Sequence, residues 1–281
     1  MMSDAAAATN TGDDRAVRVE RDGRVATVVI DRPKSLNAIS PEVLGALADA
    51  FEGLSAEPGD LAGVLLVGAG GRAFVAGADI RALSESTPAE GAATARLGHR
   101  VAATIEGMPL PVIACVDGFA LGGGLELALA CDFIYATDAS RFGQPEVRLG
   151  LIPGFGGTVR LPRVVGPARA RELIYTGRQI GIDEAVAAGL VLRRFPDREA
   201  LLAGARETVE LMASGSASAV GLAKRVLVAA SGDATDAATE LEIAGFEDAF
   251  RTGDKREGVA AFLEKREPRF TDDARAGGAP A

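Results

Sequence analysis

Val116-Asp117-Gly118-Phe119-Ala120-Leu121-Gly122-Gly123-Gly124-Leu125-Glu126-Leu127-Ala128-Leu129-Ala130-Cys131-Asp132 is the stretch from which the rest of the chain is read. The apolar run before it, Pro111 to Val116, reads as a buried strand. Three consecutive glycines follow, and Leu125, Leu127, Leu129 and the alanines then make a short apolar helix. The glycines therefore sit at a strand-to-helix turn, where a helix N-terminus offers free N–H groups and partial positive charge. A missing Cβ at Gly123 lets a ligand oxygen approach the backbone. Glu126 stands one turn further on, close to the same face. An anion-binding N–H and a carboxylate thus share one small volume. The same stretch is also compatible with a tight helix–sheet contact and a solvated Glu126.

Working outward, the whole chain bounds the possibilities. Its 281 residues are 48% hydrophobic and 25% charged, the balance of a globular protein. A formal charge of −9 argues against a nucleic-acid or membrane-surface partner, though not against an anionic ligand held by a few local cations. Cys115 and Cys131 both lie in apolar runs and read as inert thiols rather than a disulfide or metal site. The single histidine, His99, leaves little for a Ser-His triad or a histidine-rich zinc site, and beside Arg100 it reads as exposed. The first residues are small, polar and acidic, unlike a targeting segment, and no apolar run is long enough to span a bilayer. A cytoplasmic enzyme with no metal is expected.

In chain order, Met1 to Asp14 is expected to be a disordered tail. Ala16 to Glu20 alternates, Asp22-Gly23 signals a hairpin, and Val25 to Ile30 returns as a strand. Ser40-Pro41 opens a helix whose apolar face is Val43, Leu44, Leu47 and Phe51. Leu61 to Val67 is a buried strand, and Gly68-Ala69-Gly70-Gly71-Arg72-Ala73 after it spells a dinucleotide-binding fingerprint. That fingerprint needs a helix opening inside the motif, and the residues that follow lack amphipathic period, so a nucleotide fold is not expected. Ile80 to Leu83 begins a short helix, Ser84 to Gly91 is turn-rich, and Ala92 to Gly107 is a long helix. Phe133 to Ala136 reads as a strand, Arg141 to Glu146 as a loop, and Ile152 to Gly157 as a second glycine-rich turn before a helix. Helical periods alone run from Asp197 to Lys265. The expected organisation is an α/β core over 15–196, a helical region over 197–270 that packs on the core or on another subunit, and a second disordered tail over 271–281.

Three backbone-rich loops each follow a buried strand: Val75 to Asp79, Leu121 to Gly124, and Gln144 to Glu146 with Pro153 to Gly157. Parallel strands gather such loops at one end of a sheet. N–H groups at Ala78 and Gly123 would then meet carboxylates at Glu126 and Glu146. Paired N–H donors stabilise an oxygen that gains charge in a transition state. Paired carboxylates add and remove protons around one water. The combination suits chemistry beside a thioester carbonyl with an enolate intermediate, needing neither a side-chain nucleophile nor a metal. The alternative is structural: Asp79 and Glu146 as loop caps, and Glu126 paired with an arginine.

The motifs Asp31-Arg32-Pro33…Leu36-Asn37-Ala38, Ala73-Phe74-Val75-Ala76-Gly77-Ala78-Asp79-Ile80, Gly118 to Ala128, Phe142-Gly143-Gln144-Pro145-Glu146, Pro153-Gly154-Phe155-Gly156-Gly157 and Phe262-Leu263-Glu264-Lys265-Arg266 together resemble the enoyl-CoA hydratase/isomerase (crotonase) superfamily, from about Val17 to Phe270. The resemblance implies an α/β, crotonase-like spiral of ββα units with a C-terminal helical trimerisation region, as a homotrimer or a dimer of trimers. It implies Ala78 and Gly123 as the oxyanion hole, Glu126 and Glu146 as catalytic residues, and Ala38, Ala76, Asp79, Arg81 and Lys265 as coenzyme A contacts. Arg81 stands where many members carry lysine, which keeps charge but changes geometry. Family hydratases have glutamates at both acid positions, so syn hydration of a 2-trans-enoyl-CoA to a 3-hydroxyacyl-CoA is implied. Coenzyme A is then part of the substrate and no separate cofactor is called for. Two other readings stay open: double-bond isomerisation or a lyase reaction on the same fold, and non-catalytic acyl-CoA binding. The motifs give neither acyl chain length nor pathway.

Overall fold

The computed structural model describes residues 16–214, 217–230, 243, 246, 247, 250, 251 and 253–269; the tails expected at 1–14 and 271–281 lie outside these described residues. The chain opens with an antiparallel hairpin, β1 (Val17–Asp22) and β2 (Val25–Ile30), turning at Gly23 in the left-handed region (φ 57°) as the Asp-Gly signal predicts. β2 then pairs in parallel with β3 (Gly63–Gly68), β3 with β5 (Val112–Val116), β5 with β7 (Phe133–Thr137), and β7 with β10 (Arg193–Phe195). The result is a six-stranded sheet in the order β1-β2-β3-β5-β7-β10.

Strand periodicity explains why this sheet is covered on both sides. Ala26, Val28 and Ile30 of β2 join one core cluster with α1 (Pro41–Ala56) and α3 (Pro88–Gly107). Val25 and Val29, on the opposite face, pack with Leu201, Ala205 and Val209 of α8 (Arg198–Ala213). A strand apolar on both faces needs a layer on each.

A second, smaller sheet decides where function can lie. Its strands are β4 (Ala73–Val75), β6 (Phe119–Leu121), β8 (Arg141–Gly143) and β9 (Gln179–Gly181), in that order; the first three are parallel and β9 is antiparallel. Three times in succession the chain lays a strand in the large sheet, a three-residue strand in the small one, and then helix: β3-β4 leads to α2 (Ile80–Glu85) and α3, β5-β6 to α4 (Gly123–Ala130), and β7-β8 to a 3-10 turn (Glu146–Leu149) and α5 (Gly157–Val165). This is the expected spiral of ββα units. The expected loop over Arg141 to Glu146 is thus corrected at its start, which is strand. The dinucleotide-like motif joins strand to strand: Gly70 (φ 85°) and Gly71 (φ 66°) turn the chain from β3 into β4 with no helix between them.

Two helix readings are also corrected. α3 begins at Pro88, inside the stretch expected to be turn-rich, because Thr87 and Glu90 close a capping box ahead of it. His99, expected on the surface, is only 7% exposed. The buried face of α3 runs Ala92, Ala95, Gly98, His99, Ala102 and Ile105, so helical spacing places His99 inside. After α6 (Pro167–Thr176) and α7 (Ile182–Ala187), the C-terminal helices given ranges among the described residues are α8, α9 (Ala217–Ala230) and α10 (Gly253–Glu264). Lys224 of α9, 6% exposed, donates to the carbonyls of Ile105 (2.8 Å) and Leu110 (3.0 Å) and to Asp132 Oδ2 (2.8 Å), fixing α9 to the core.

Candidate active site

Because β4, β6 and β8 are parallel neighbours, their C-terminal ends deliver three loops side by side: Ala76 to Asp79, Gly122-Gly123, and Gln144 to Glu146. These loops open on one cavity of about 370 Å³. Ala76, Ala78, Gly123, Glu126 and Glu146 all line it, with Leu83, Leu149, Leu151, Phe155 and Phe246 supplying apolar wall. The structure thereby brings together both expected amides and both expected acids. The strands that do this are those of the small sheet.

Each amide is aimed by its backbone setting. An isolated parallel bridge joins Ile39 to Ala78. It uses the Ile39 N–H to the Gly77 carbonyl (2.9 Å) and the Asp79 N–H to the Ile39 carbonyl (2.7 Å). Alternation along an extended segment then turns the intervening Ala78 N–H to the opposite side. Gly123 is the first residue of α4, where an N–H has no partner within its own helix. Gly122 precedes it at φ 51°, a conformation that favours glycine. A Cβ at Gly122 would stand 2.8 Å from Glu146 Oε1, so the turn and the acid lie against each other.

Glu126 is 1% exposed, yet its Oε1 accepts hydrogen bonds from the N–H of Phe155 (2.8 Å) and of Gly157 (2.7 Å). A buried carboxylate is tolerable only with such donors. The donors come from the second glycine-rich turn, where Gly156 (φ 110°) folds the chain so that two amides point at one oxygen. Glu146 is half-buried at the start of the 3-10 turn. Its carboxylate meets the fully buried Gln144 side chain, whose amide nitrogen, oriented by the hydrogen-bond network, donates to Oε1 (2.9 Å) and Oε2 (3.2 Å). The end of the Gln144 side chain also lies against Gly157, beside Glu126 Oε1. Gln144 therefore stands between the two acids.

The other expected residues are placed as follows. Asp79 caps α2, accepting from the Arg81 N–H (3.2 Å), and faces Arg32 Nη2 at 3.6 Å. Ala38 is half-buried, and its carbonyl accepts from Arg32 Nη1 (2.8 Å). Arg81 and Lys265 are exposed and do not line the cavity. Asn37, fully buried, takes the Arg32 N–H and donates to the carbonyls of Ala69 and Ala73, tying the loop that pairs with Ala78 to the start of β4. Burial pushes the Cys115 thiol up to about 12, consistent with an inert thiol. Among the described residues, no group of acids, histidines or cysteines could hold a metal ion, and no helix is long and apolar enough to cross a membrane. The sequence reading missed Gln144 as a site residue, along with the amides of Phe155 and Gly157. Gln144 lies in a quoted motif and carried a signal; amides carry none.

Comparison with known proteins gives a consistent picture. A family model described as enoyl-CoA hydratase/isomerase matches residues 20–273. A crotonyl-CoA hydratase of Syntrophomonas wolfei is 41% identical over 90% of this chain and 96% of its own. A short-chain-enoyl-CoA hydratase of Clostridium acetobutylicum is 42% identical over 89% of this chain and 95% of its own. Among solved structures, an enoyl-CoA hydratase from Mycobacterium avium subsp. paratuberculosis superposes with a TM-score of 0.83 at 31% identity, over 92% of this chain and 99% of that one.

Proposed function

The chain belongs to the enoyl-CoA hydratase/isomerase family, and from that premise we infer that it is an enoyl-CoA hydratase, adding water to a 2-trans-enoyl-CoA to give a 3-hydroxyacyl-CoA. The observation that carries the reading is the convergence of Ala78, Gly123, Glu126 and Glu146 on one cavity. The thioester oxygen rests on the Ala78 and Gly123 amides. Water held at Glu126 loses a proton to it while the hydroxyl forms the bond to C3. The C2=C3 electron pair moves to make the enolate, whose oxygen gains charge against the two amides. Glu146 then gives a proton to C2 on the same face, and the thioester carbonyl is restored. One proton is taken up at Glu126 and one is given up by Glu146, so the step leaves the proton total of the two acids unchanged.

Coenzyme A enters as part of the substrate. Ala76 on the cavity wall takes the adenine side, and Ala38, Asp79, Arg81 and Lys265 are assigned contacts to the rest of the nucleotide. Exposed apolar side chains on the C-terminal helices, Leu211, Leu227 and Phe262, support a homotrimer or a dimer of trimers. The place of action is the cytoplasm.

The test follows loss of the conjugated-thioester absorbance with crotonyl-CoA and a longer enoyl-CoA. Wild type turns both over, and Glu126→Gln and Glu146→Gln each lose at least about 100-fold in kcat. Turnover unaffected by either substitution would remove the two-acid mechanism. Tight binding without turnover would replace catalysis by acyl-CoA binding.

A further inference from the structure

We propose that Arg160 is a positioning residue for Glu126, acting through the backbone of the Phe155–Gly157 turn rather than through contact with substrate. This rests on the hydration reading above. Arg160 lies in the first turn of α5 and is 6% exposed. One side of its guanidinium grips Glu106 of α3 with two bonds, Nε to Oε1 (2.7 Å) and Nη2 to Oε2 (2.8 Å). The remaining terminal nitrogen, Nη1, donates to the carbonyl of Phe155 (3.1 Å). Phe155 in turn gives its N–H to Glu126 Oε1, and Gly157 gives a second. The Phe155–Gly157 turn is therefore held from opposite sides, by a cation at one carbonyl and by the acid at two amides.

An ion pair that merely joined α3 to α5 would not need that third bond. Gly156 shows that the contact is built in: a Cβ there would overlap Arg160 Nη1. A left-handed glycine (φ 110°) thus brings the guanidinium against the turn while letting the two amides converge. The planar fork matters as much as the charge. A lysine, with all its donors on one nitrogen, does not reproduce the planar two-nitrogen grip on both Glu106 oxygens with a third nitrogen left for Phe155. If the turn relaxes, the amides leave Glu126 Oε1 and the carboxylate loses its aim at the water, and misplacement on this scale costs about 100-fold in rate.

The experiment measures kcat and KM for crotonyl-CoA, the dissociation constant of the unreactive butyryl-CoA, and the thermal midpoint, for wild type, Arg160→Met, Arg160→Lys and Glu106→Gln. Arg160→Met is expected to lose about 30- to 100-fold in kcat, with KM and butyryl-CoA binding within about threefold. Arg160→Lys, which keeps the buried charge and so guards against misfolding, loses about tenfold or more in kcat. Glu106→Gln weakens the same ion pair but leaves an accepting oxygen and the Phe155 bond; it lowers the thermal midpoint while kcat stays within about threefold. Undiminished kcat in Arg160→Lys overturns the inference. So does a loss in Glu106→Gln as large as in Arg160→Met, which would assign the effect to the ion pair as a staple. A wild type inactive on crotonyl-CoA would instead overturn the hydration reading itself.

Discussion

At the scale of single residues, the site turns on how one buried acid and one half-buried acid are held by polar partners inside an apolar cavity. Glu126 solves this with main-chain amides and Glu146 with the Gln144 side chain. Gln144→Leu keeps similar bulk but removes the donor that touches both oxygens of Glu146. On the proposed mechanism its expected effect is a fall of about tenfold in kcat with little change in KM, since the Ala78 and Gly123 amides are untouched. Steady-state kinetics on crotonyl-CoA check it, and an equal rise in KM would mean that the cavity itself had deformed. Legibility in the sequence follows the same chemistry. Glu126, Glu146 and the glycines around Gly123 are spelled out as residue types with restricted roles. The partners of Glu126 are peptide groups, which every residue but proline carries, so nothing in Phe155 or Gly157 announces them before folding.

At the scale of elements, close approach of backbone to backbone positions the site. α4 lies so tightly on β4 that a Cβ at Gly124 would overlap the Val75 carbonyl. That contact fixes the distance between the Gly123 amide, on the first turn of α4, and the Ala78 loop that leaves β4. Gly124→Ala must therefore push α4 away from β4. On the proposed mechanism it is expected to destabilise the protein by about 1–3 kcal/mol and to lower kcat together with affinity for the acyl-CoA, because the Ala78 and Gly123 amides shift relative to each other. Urea denaturation and substrate titration test the two halves; a stable variant with normal turnover would show that the contact has slack. The large sheet was legible because β2, β3, β5 and β7 are runs of five or six largely apolar residues and β1 alternates before a hairpin turn, which leaves only the short β10 without a clear pattern. The small sheet was not, because strands of three residues are too short to show a period, and Phe119 of β6 is exposed. The loops were thus read as following the long strands, when the short ones carry them.

At the scale of the whole molecule, the question is how the C-terminal helices are made to belong to the α/β core. Apolar packing of α8 does part of this, but α9 uses a buried charge. Lys224 reaches past its own helix to the Ile105 carbonyl in the last turn of α3, the Leu110 carbonyl ahead of β5, and Asp132 at the end of α4. All three donor positions of the ammonium have acceptors. Asp132 Oδ2 also takes the Val112 N–H (2.8 Å), so one carboxylate organises the entry to β5 and the docking of α9 together. Lys224→Met leaves two carbonyls and part of a carboxylate without this donor, in surroundings where water reaches only the Asp132 side, which is 23% exposed. Removing one member of a buried pair costs about 3 kcal/mol, the lower end of the usual range because of that exposure. Lys224 is not among the residues lining the cavity, so kcat at 25 °C should be nearly unchanged while the urea midpoint falls. If α9 also carries subunit contacts, as its exposed Leu227 suggests, the same variant should shift sedimentation from three or six chain masses toward one at low protein concentration. A Lys224→Met protein with an unchanged midpoint would show that packing alone holds α9, and that the buried ammonium merely accommodates a position it does not determine.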